Sequence, residues 1–394
     1  MTSSAARSML PALSPEELRH SEAVGSLVRA ELAAAGGWLS FERFMELVLY
    51  APGLGYYSAG AWKLGSGGDF VTAPEVSELF GRCVALQCAE VLRATGGDIL
   101  ELGAGSGRMA ATILAALGAQ QALPERYAIL EVSGDLAARQ RARLEALPPP
   151  LRERVVWLEQ LPRAPLRGVI LANEVADALP VRRFTVRAGA VLELGVALGP
   201  GDTLRAAEGP PDAALARECA AMFGAPPRTL PEGYTSEVSL RLGPWIASLG
   251  ASLERGAVLL FDYGLPRAHY YHPQRSAGTL RCHFRQRAHD DPLINLGVQD
   301  LSAWVDFTRA AEGAALAGLE VAGFATQAAF LLALGIDREV ASAADAVGRA
   351  RLAGEARRLI MPEEMGEAFK ALALTRGYET PLQGFALQDL RRQL

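Results

Sequence analysis

Two hydrophobic periodicities alternate through the middle of the chain. Short apolar runs bounded by turn-forming residues indicate buried strands, and the longer stretches between them have the period of a helix. This alternation predicts an α/β fold, a doubly wound and largely parallel sheet. The predicted strands span residues 98–102, 127–132, 154–158, 167–173 and 256–262, and the first two predicted helices between them span residues 106–118 and 134–147.

The region before the first predicted strand has a mainly helical pattern. Ser14 followed by Pro15 is a typical helix start, and residues 15–50 carry apolar faces at helical spacing. A further helix is predicted to begin near Pro74 and to run to Leu92.

Two connections, at about 183–250 and 264–300, are longer than a plain crossover between strands, and we interpret them as insertions in the core. We expect a hairpin over residues 183–197 and a helix near residues 212–222 within the first of them. The expected organisation is an N-terminal helical segment (1–66), a core (67–330) with insertions at about 183–250 and 264–300, and a C-terminal extension packed on the core (331–394).

Three alternating glycines, Gly103, Gly105 and Gly107, follow the first predicted strand directly. In an open α/β sheet the ligand binds at this strand-to-helix turn. Glycine lets the backbone bend tightly and lets a ligand approach without a Cβ in the way. The free N–H groups of the new helix favour an anionic group on that ligand.

The spacing of the turn indicates which nucleoside it binds. The dinucleotide fingerprint needs a third glycine where Arg108 stands, so a pyrophosphate fits poorly. Glu101 completes the pattern E-x-G-x-G-x-G, which resembles class I S-adenosylmethionine methyltransferases. Glu131 ends the next apolar run, where an acid can accept both hydroxyls of a ribose. The alternative is a glycine-rich turn without a ligand and a solvated glutamate.

Acidic residues follow two further strands. Asn173 and Glu174 end the fourth strand, Asp177 follows them, and Asp262 ends the fifth. A helical turn from Glu174 would place that acid and Asp177 on one side, where two carboxylates suit a cationic nucleophile. Alternatively, Asp177 caps that helix and Asp262 forms a turn.

Composition argues against several other classes of function. The net charge is −5, and no basic run with interleaved aromatic residues appears, so no nucleic-acid partner is predicted. The four cysteines lack zinc-like spacing, and the His- and Asp-rich stretch 281–306 lacks a metal-ligand motif, so no metal is predicted. Substrate recognition or plain loop polarity are the other interpretations of that stretch.

No apolar run approaches the roughly 18–20 residues of a membrane span, so no membrane insertion is predicted. We expect a cytoplasmic location in a bacterium, or the mitochondrial matrix in a eukaryote. The sequence is compatible with either a monomer or a homodimer.

Eight blocks lie in order along nearly the whole chain, at 50–57, 68–75, 101–107, 173–180, 262–264, 278–282, 300–307 and 365–370. Together these blocks resemble the MidA-like family of complex I assembly protein arginine methyltransferases. The departures are Val175 and Ala176 in place of bulky residues, Ser302 and Trp304 in place of Thr and His, and Gln286 in place of a frequent His.

The resemblance implies dimethylation of an arginine in a protein partner similar to a respiratory complex I subunit, with S-adenosyl-L-methionine as cofactor. It implies roles for eleven residues: Glu101, Gly103, Gly105, Gly107, Glu131, Asp69, Thr72 and Asn173 in binding the cofactor, and Glu174, Asp177 and, as a lesser candidate, Asp262 in catalysis. A small-molecule methyltransferase and a non-catalytic, cofactor-binding assembly factor are the alternatives.

Overall fold

The structure is a computed structural model, and it describes residues 10–59, 72–227 and 229–394. The described residues form two compact units, each built from separate segments of the chain. The first unit draws on Met1–Phe70, Ala178–Arg241 and Ala268–Trp304, and the second on Val71–Asp177, Leu242–Arg267 and Val305–Leu394.

The helices and strands of the described residues are named in chain order. The helices are α1 (Pro15–Ala34), α2 (Phe41–Tyr50), α3 (Ala73–Val76), α4 (Glu78–Thr95), α5 (Arg108–Ala119), α6 (Gly134–Leu144), α7 (Pro149–Arg152), α8 (Ala213–Phe223), α9 (Leu242–Ala251), α10 (Arg267–Tyr270), α11 (Phe307–Leu316), α12 (Gln327–Ala333), α13 (Ile336–Ala341) and α14 (Ala346–Ile360). The strands are β1 (Trp38–Ser40), β2 (Asp98–Leu102), β3 (Tyr127–Leu130), β4 (Val155–Leu158), β5 (Leu166–Asn173), β6 (Arg182–Arg187), β7 (Ala190–Leu198), β8 (Leu204–Gly209), β9 (Thr235–Val238), β10 (Leu253–Leu265), β11 (Arg281–Phe284), β12 (Arg287–His289), β13 (Asp300–Ser302), β14 (Val305–Asp306), β15 (Glu320–Thr326) and β16 (Phe369–Arg376).

The second unit is built on one large sheet. Its strand order is β15-β16-β10-β5-β2-β3-β4, with β14 beside β10. The five strands from β10 to β4 run parallel, and β16 is antiparallel to both of its neighbours. The predicted α/β fold is therefore confirmed, and the carboxyl ends of β2, β3, β5 and β10 lie along one edge of the sheet.

Two glycines fix the register of the central strands. Gly168 on β5 pairs with Asp98 on β2 and with Gly256 on β10. A Cβ on Gly168 would stand 2.1 Å from the Asp98 carbonyl oxygen, and one on Gly256 would stand 1.9 Å from that of Gly168. Their φ values of +117° and +136° also disfavour other residues.

The first unit contains two smaller sheets. One has the order β1-β7-β6-β9 with β8 beside β7, and the other has the order β12-β11-β13. The predicted hairpin is the antiparallel pair β6–β7, which turns at Ala188 and Gly189, and the helix predicted near residues 212–222 is α8. The helices α1 and α2 supply the apolar core of this unit through side chains such as Val28 and Phe44.

The N-terminal half departs from the predicted pattern at two places. The helix predicted from Pro74 to Leu92 is two helices, because Ser77 has extended backbone and its hydroxyl accepts a hydrogen bond from Leu79 N–H at the start of α4. The stretch 15–50 is not wholly helical, since β1 lies between α1 and α2 and pairs with β7. The start of α1 agrees with the prediction, as Ser14 and Glu17 form a capping box.

Within the described residues, no helix combines the length and the apolar character that crossing a membrane requires.

Candidate active site

The glycine turn joins β2 to α5 at the carboxyl edge of the large sheet. Gly103, Gly105 and Gly107 all have positive φ, at 61°, 54° and 77°. A Cβ on Gly107 would stand 3.3 Å from the Cα of Gln140, a tight contact that adds to the conformational preference for glycine at this position. The turn therefore presents bare backbone at the N-terminus of a twelve-residue helix.

Arg108, which stands where the dinucleotide-binding fingerprint has its third glycine, has a structural role. Arg108 donates a hydrogen bond from Nη1 to the carbonyl oxygen of Glu75 on α3, at 2.7 Å. The hydroxyl of Ser106 donates to the carboxylate of the same glutamate. The helix α3 is thereby fixed to the glycine turn.

Two predicted cofactor residues belong to the segment before α3. Thr72 is the half-buried N-cap residue of α3, and among the described residues its side chain makes no capping hydrogen bond. Asp69 lies outside the described residues. Their roles stay predictions.

The structure places Glu131 beside the glycine turn. Its Oε1 accepts a hydrogen bond from Ser133 N–H at 2.9 Å, and its Oε2 accepts one from Gln140 Nε2 at 2.9 Å. The same Nε2 donates to the Gly105 carbonyl oxygen at 3.0 Å. Gln140 thus links the acid after β3 to the turn after β2, and the ribose role of Glu131 stays a prediction.

Glu101 lies inside the sheet, only 1% exposed, and accepts a hydrogen bond from the Tyr127 hydroxyl at 2.7 Å. Burial raises the pKa of Glu101 to about 7; the Tyr127 hydrogen bond opposes this rise, and the charge of Glu131 adds to it. Glu101 joins β2 to β3 just before the glycine turn, and its contact with a cofactor stays a prediction.

Asp262 organises the loop that follows β5. It is 2% exposed, and its Oδ2 accepts hydrogen bonds from the N–H groups of Ala176 and Asp177 at 3.0 and 3.2 Å. Its Oδ1 accepts a third from Tyr263 N–H at 2.9 Å. Burial, and then the charges of Asp177 and Glu174, raise the pKa of Asp262 well above its usual range.

The helical turn predicted from Glu174 to Asp177 is wrong. Glu174 has a φ of 53°, the left-handed region, and residues 174–180 form bends and a turn without a helix. The left-handed backbone at Glu174 is incompatible with a right-handed helical turn that starts there, and Asp262 holds the amides of Ala176 and Asp177 in the observed loop. Asp177 therefore caps no helix; it is buried and accepts a hydrogen bond from the Tyr263 hydroxyl.

Asn173 and Glu174 contact each other at the end of β5. Asn173 Nδ2 donates to Glu174 Oε1 at 3.2 Å. The buried Oδ1 of Asn173 finds no hydrogen-bond partner within the part of the chain that the structure describes. A buried acceptor without a donor is costly, so this oxygen suits a ligand that brings an N–H or O–H group.

The acidic loop borders the glycine turn, since a Cβ on Gly103 would stand 3.5 Å from Val175 Cγ2. The second unit thus brings together the glycines, Glu131, Asn173, Glu174, Asp177 and Asp262. Sequence reasoning gave no role to Tyr127, Gln140 or Tyr263. The position of Tyr263 was a usable signal, whereas nothing local distinguishes Gln140 from a surface glutamine on a helix.

The His- and Asp-rich stretch contributes to the first unit. His283 on β11 pairs with Asp300 on β13, and the Asp300 carboxylate accepts a hydrogen bond from the Tyr57 hydroxyl at 2.8 Å. Among the described residues, no group of three or more His, Cys, Asp or Glu side chains is arranged to hold a metal ion.

The site fits a nucleoside that carries an amino-acid group. Backbone N–H groups at a helix start suit a carboxylate, Glu131 suits a ribose, and Asn173 Oδ1 suits an ammonium or hydroxyl donor. These are the groups of S-adenosyl-L-methionine, the cofactor that the sequence predicts.

Three comparisons with known proteins agree with this assignment. Residues 83–325 match the family Methyltransf_28, described as an S-adenosyl-L-methionine-dependent methyltransferase. The mouse protein arginine methyltransferase NDUFAF7, mitochondrial, is 30% identical over 376 residues, which cover 86% of this chain and 81% of the mouse protein.

Two solved structures from Burkholderia thailandensis are each similar over 98% of this chain. A COG1565 superfamily member bound to S-adenosyl-homocysteine is 42% identical, with a TM-score of 0.93 and coverage of 98% of this chain and 100% of that chain. A native structure from the same superfamily is 41% identical with a TM-score of 0.90. The glycine turn, the acid after β3 and these matches lead to one conclusion: the chain belongs to the Methyltransf_28 family of S-adenosyl-L-methionine-dependent methyltransferases, and its cofactor is S-adenosyl-L-methionine.

Proposed function

We propose that this methyltransferase modifies an arginine side chain of a protein partner, with Glu174 and Asp177 as the residues that hold the guanidinium. The observation that carries the proposal is the cluster of three carboxylates, Glu174, Asp177 and Asp262, beside the glycine turn. The mouse relative's name as a protein arginine methyltransferase supports the same choice of substrate. The sequence blocks shared with complex I assembly methyltransferases favour a partner similar to a complex I subunit.

The charge of the cluster favours a cation over a neutral nucleophile. Asp262 is buried and its pKa is raised partly by the neighbouring charges of Asp177 and Glu174, so the three acids repel one another. A guanidinium remains protonated at any physiological pH and relieves that repulsion when it binds. A neutral amine or hydroxyl would leave the repulsion in place.

The hydrogen bonds of Asp262 separate its role from that of the other two acids. Both of its oxygens accept from backbone N–H groups, those of Ala176, Asp177 and Tyr263, so we assign Asp262 to holding the loop. Glu174 and Asp177 lie on that loop, and carboxylates accept guanidinium N–H groups in fixed geometry. The hydroxyl of Tyr263 orients the Asp177 carboxylate.

The bound cofactor supplies an electrophilic methyl group on a sulfonium. Glu174 and Asp177 draw the positive charge of the guanidinium toward the nitrogens that they contact, so that another nitrogen is freer to attack. The new bond joins that nitrogen to the methyl carbon, the carbon–sulfur bond breaks with its electron pair going to sulfur, and the nitrogen's proton passes to a carboxylate or to water.

The test compares Glu174→Gln with wild type in transfer of a labelled methyl group to proteins of the source organism. We expect the rate to fall by about 10²–10³-fold, the usual loss when a charged group that stabilises the transition state is removed. The dissociation constant for S-adenosyl-homocysteine should stay within about threefold, because Glu131 and the glycine turn are intact. Acid hydrolysis and mass spectrometry should find the label in methylated arginine.

Glu364→Gln is the matched control, since it makes the same chemical change at an exposed residue of the same unit. Turnover of Glu174→Gln equal to that of this control would remove Glu174 from the mechanism. Label found in another amino acid or in a small molecule would overturn the arginine assignment while leaving the methyltransferase intact.

A further inference from the structure

We propose that Gln140 on α6 is a positioning residue that holds Glu131 in the orientation needed for the ribose of the cofactor. The inference rests on the proposed assignment of Glu131 to the ribose. Gln140 is fully buried, and its amide group joins the segments that follow β2 and β3 to a side chain of β4.

The orientation of the Gln140 amide is dictated by its partners. The indole Nε1 of Trp157 on β4 donates to Gln140 Oε1 at 3.0 Å, and an indole N–H can only donate. The amide nitrogen must therefore face the other way, toward two acceptors. These are the Gly105 carbonyl oxygen at 3.0 Å and Glu131 Oε2 at 2.9 Å.

Trp157 is itself held in place, because the guanidinium of Arg141 lies 4.7 Å from the centre of its ring. The bond from Trp157 thus fixes the oxygen of the Gln140 amide, independently of the two acceptors that its nitrogen contacts. A glutamine held in this way sets the distance between the glycine turn and the acid.

The consequence for Glu131 is a carboxylate with a fixed direction. Each of its oxygens accepts one hydrogen bond, Oε1 from Ser133 N–H and Oε2 from Gln140. These two bonds hold the carboxylate from both of its oxygens and so set the direction in which it faces a ligand. Without Gln140 the side chain would keep one of these two bonds and gain rotamer freedom, which a ligand would have to remove on binding.

A positioning role and a merely structural role predict different binding patterns. If Gln140 only stabilises the fold, its loss weakens every ligand of the site alike. If it acts through Glu131, its loss weakens ligands with ribose hydroxyls and spares ligands that lack them. A double-mutant cycle with Glu131 then shows coupling.

The experiment is calorimetric titration of the intact protein with S-adenosyl-homocysteine and with its 2′,3′-dideoxy analogue. The proteins are wild type, Gln140→Leu, Glu131→Gln and the double variant. We expect wild type to prefer the ribose compound, and Gln140→Leu to bind it about 10-fold or more weakly with less than threefold change for the analogue. The double variant should bind no more weakly than Glu131→Gln alone. Gln120→Leu, at the end of α5, is the matched control and should bind like wild type.

Gln140→Glu keeps the proposal testable if the leucine variant does not fold. It places a second carboxylate against Glu131, so binding should be weak at pH 8 and should recover as the pH falls and one of the two acids takes up a proton. Wild type and the Gln120→Leu control should lack that recovery.

Three results would overturn the role of Gln140. They are ribose preference retained in a folded Gln140→Leu protein, additive losses in the double variant, and a flat pH profile for Gln140→Glu. A wild type that binds both compounds equally would refute the assignment of Glu131 to the ribose and with it this inference. Normal ribose preference without arginine methylation would instead refute only the proposed substrate.

Discussion

Glu101 shows how one carboxyl group can be built into the interior of a sheet. It lies on β2 among buried residues, and Tyr127 on the neighbouring strand β3 donates to it. A charged carboxylate is poorly solvated there, which is why burial raises the pKa of Glu101 to about 7. Between pH 4.5 and about 7, Glu101 is therefore mostly protonated in the folded protein and mostly ionised in the unfolded chain.

This difference makes stability depend on pH, with a definite sign. Because the folded-state pKa is raised, the contribution of Glu101 is fully present below the unfolded value and is lost as the pH rises through about 7. We expect the free energy of unfolding of wild type to fall by roughly 2 kcal/mol more between pH 5.5 and pH 8 than that of Glu101→Gln. Urea unfolding followed by circular dichroism at the two pH values measures this difference.

Glu364→Gln serves again as the exposed control and should follow wild type. Parallel pH curves for wild type and Glu101→Gln would mean that Glu101 titrates normally in the folded protein. A larger fall for the variant would reverse the sign and contradict the buried, protonated state.

Glu174 shows a different departure at the residue scale. A left-handed backbone at a residue other than glycine costs on the order of 1–3 kcal/mol, and it persists because the surrounding structure enforces it. Here the Glu174 N–H donates to the Phe261 carbonyl oxygen at 2.8 Å, while Asp262 holds the next residues of the loop. The strain coincides with the carboxylate that we propose as catalytic.

At the scale of elements, the sequence predicts the sheet well where periodicity alone decides. The strand predicted at 98–102 is β2 without any change of bounds, and the four other predicted strands lie within about three residues of the observed ones. Prediction fails where a side chain outside the segment decides, as at Glu174, whose turn is set by Asp262 from another strand. It fails also at Ser77, where a local cap interrupts an apolar helical pattern.

The glycine pair of β5 and β10 gives an element-scale prediction. Gly256→Ala would place a methyl group 1.9 Å from the Gly168 carbonyl oxygen at a φ of +136°, so the two central strands cannot keep their register. We expect the free energy of unfolding to fall by at least about 3 kcal/mol, in the range of the most damaging single substitutions. Urea titration of the purified variant measures this loss.

Gly134→Ala is the matched control. Gly134 is exposed at the first position of α6 and lacks a positive φ, and a Cβ added there would meet no other described atom within 4 Å. Alanine there should leave stability unchanged or raise it by up to about 1 kcal/mol. Equal stability of the two variants would show that the close approach of β5 and β10 relaxes at little cost.

At the scale of the whole molecule, the chain crosses between its two units several times. Each unit is built from three separate segments, and β16, near the end of the chain, pairs along its length with β10. Local periodicity carries no information about such long-range pairing, so the sequence predicts the elements better than their grouping. The described candidate residues nevertheless all lie in the second unit, because the carboxyl ends of parallel strands meet at one edge of its sheet.

Because the described candidate residues all lie in the second unit, we can predict which backbone amides a bound ligand protects from hydrogen exchange. A ligand that binds only the folded state stabilises it by about 2.7 kcal/mol at a concentration of 100 times its dissociation constant. We expect S-adenosyl-homocysteine at that concentration to slow amide hydrogen exchange most strongly in residues 103–107 and 131–140, as measured by mass spectrometry of peptides. Gly105→Val should abolish the slowing, since its side chain would occupy the turn and its φ of 54° disfavours valine. Slowing that spares both segments in wild type, or that persists in the Gly105→Val protein, would contradict the placement of the cofactor at the glycine turn.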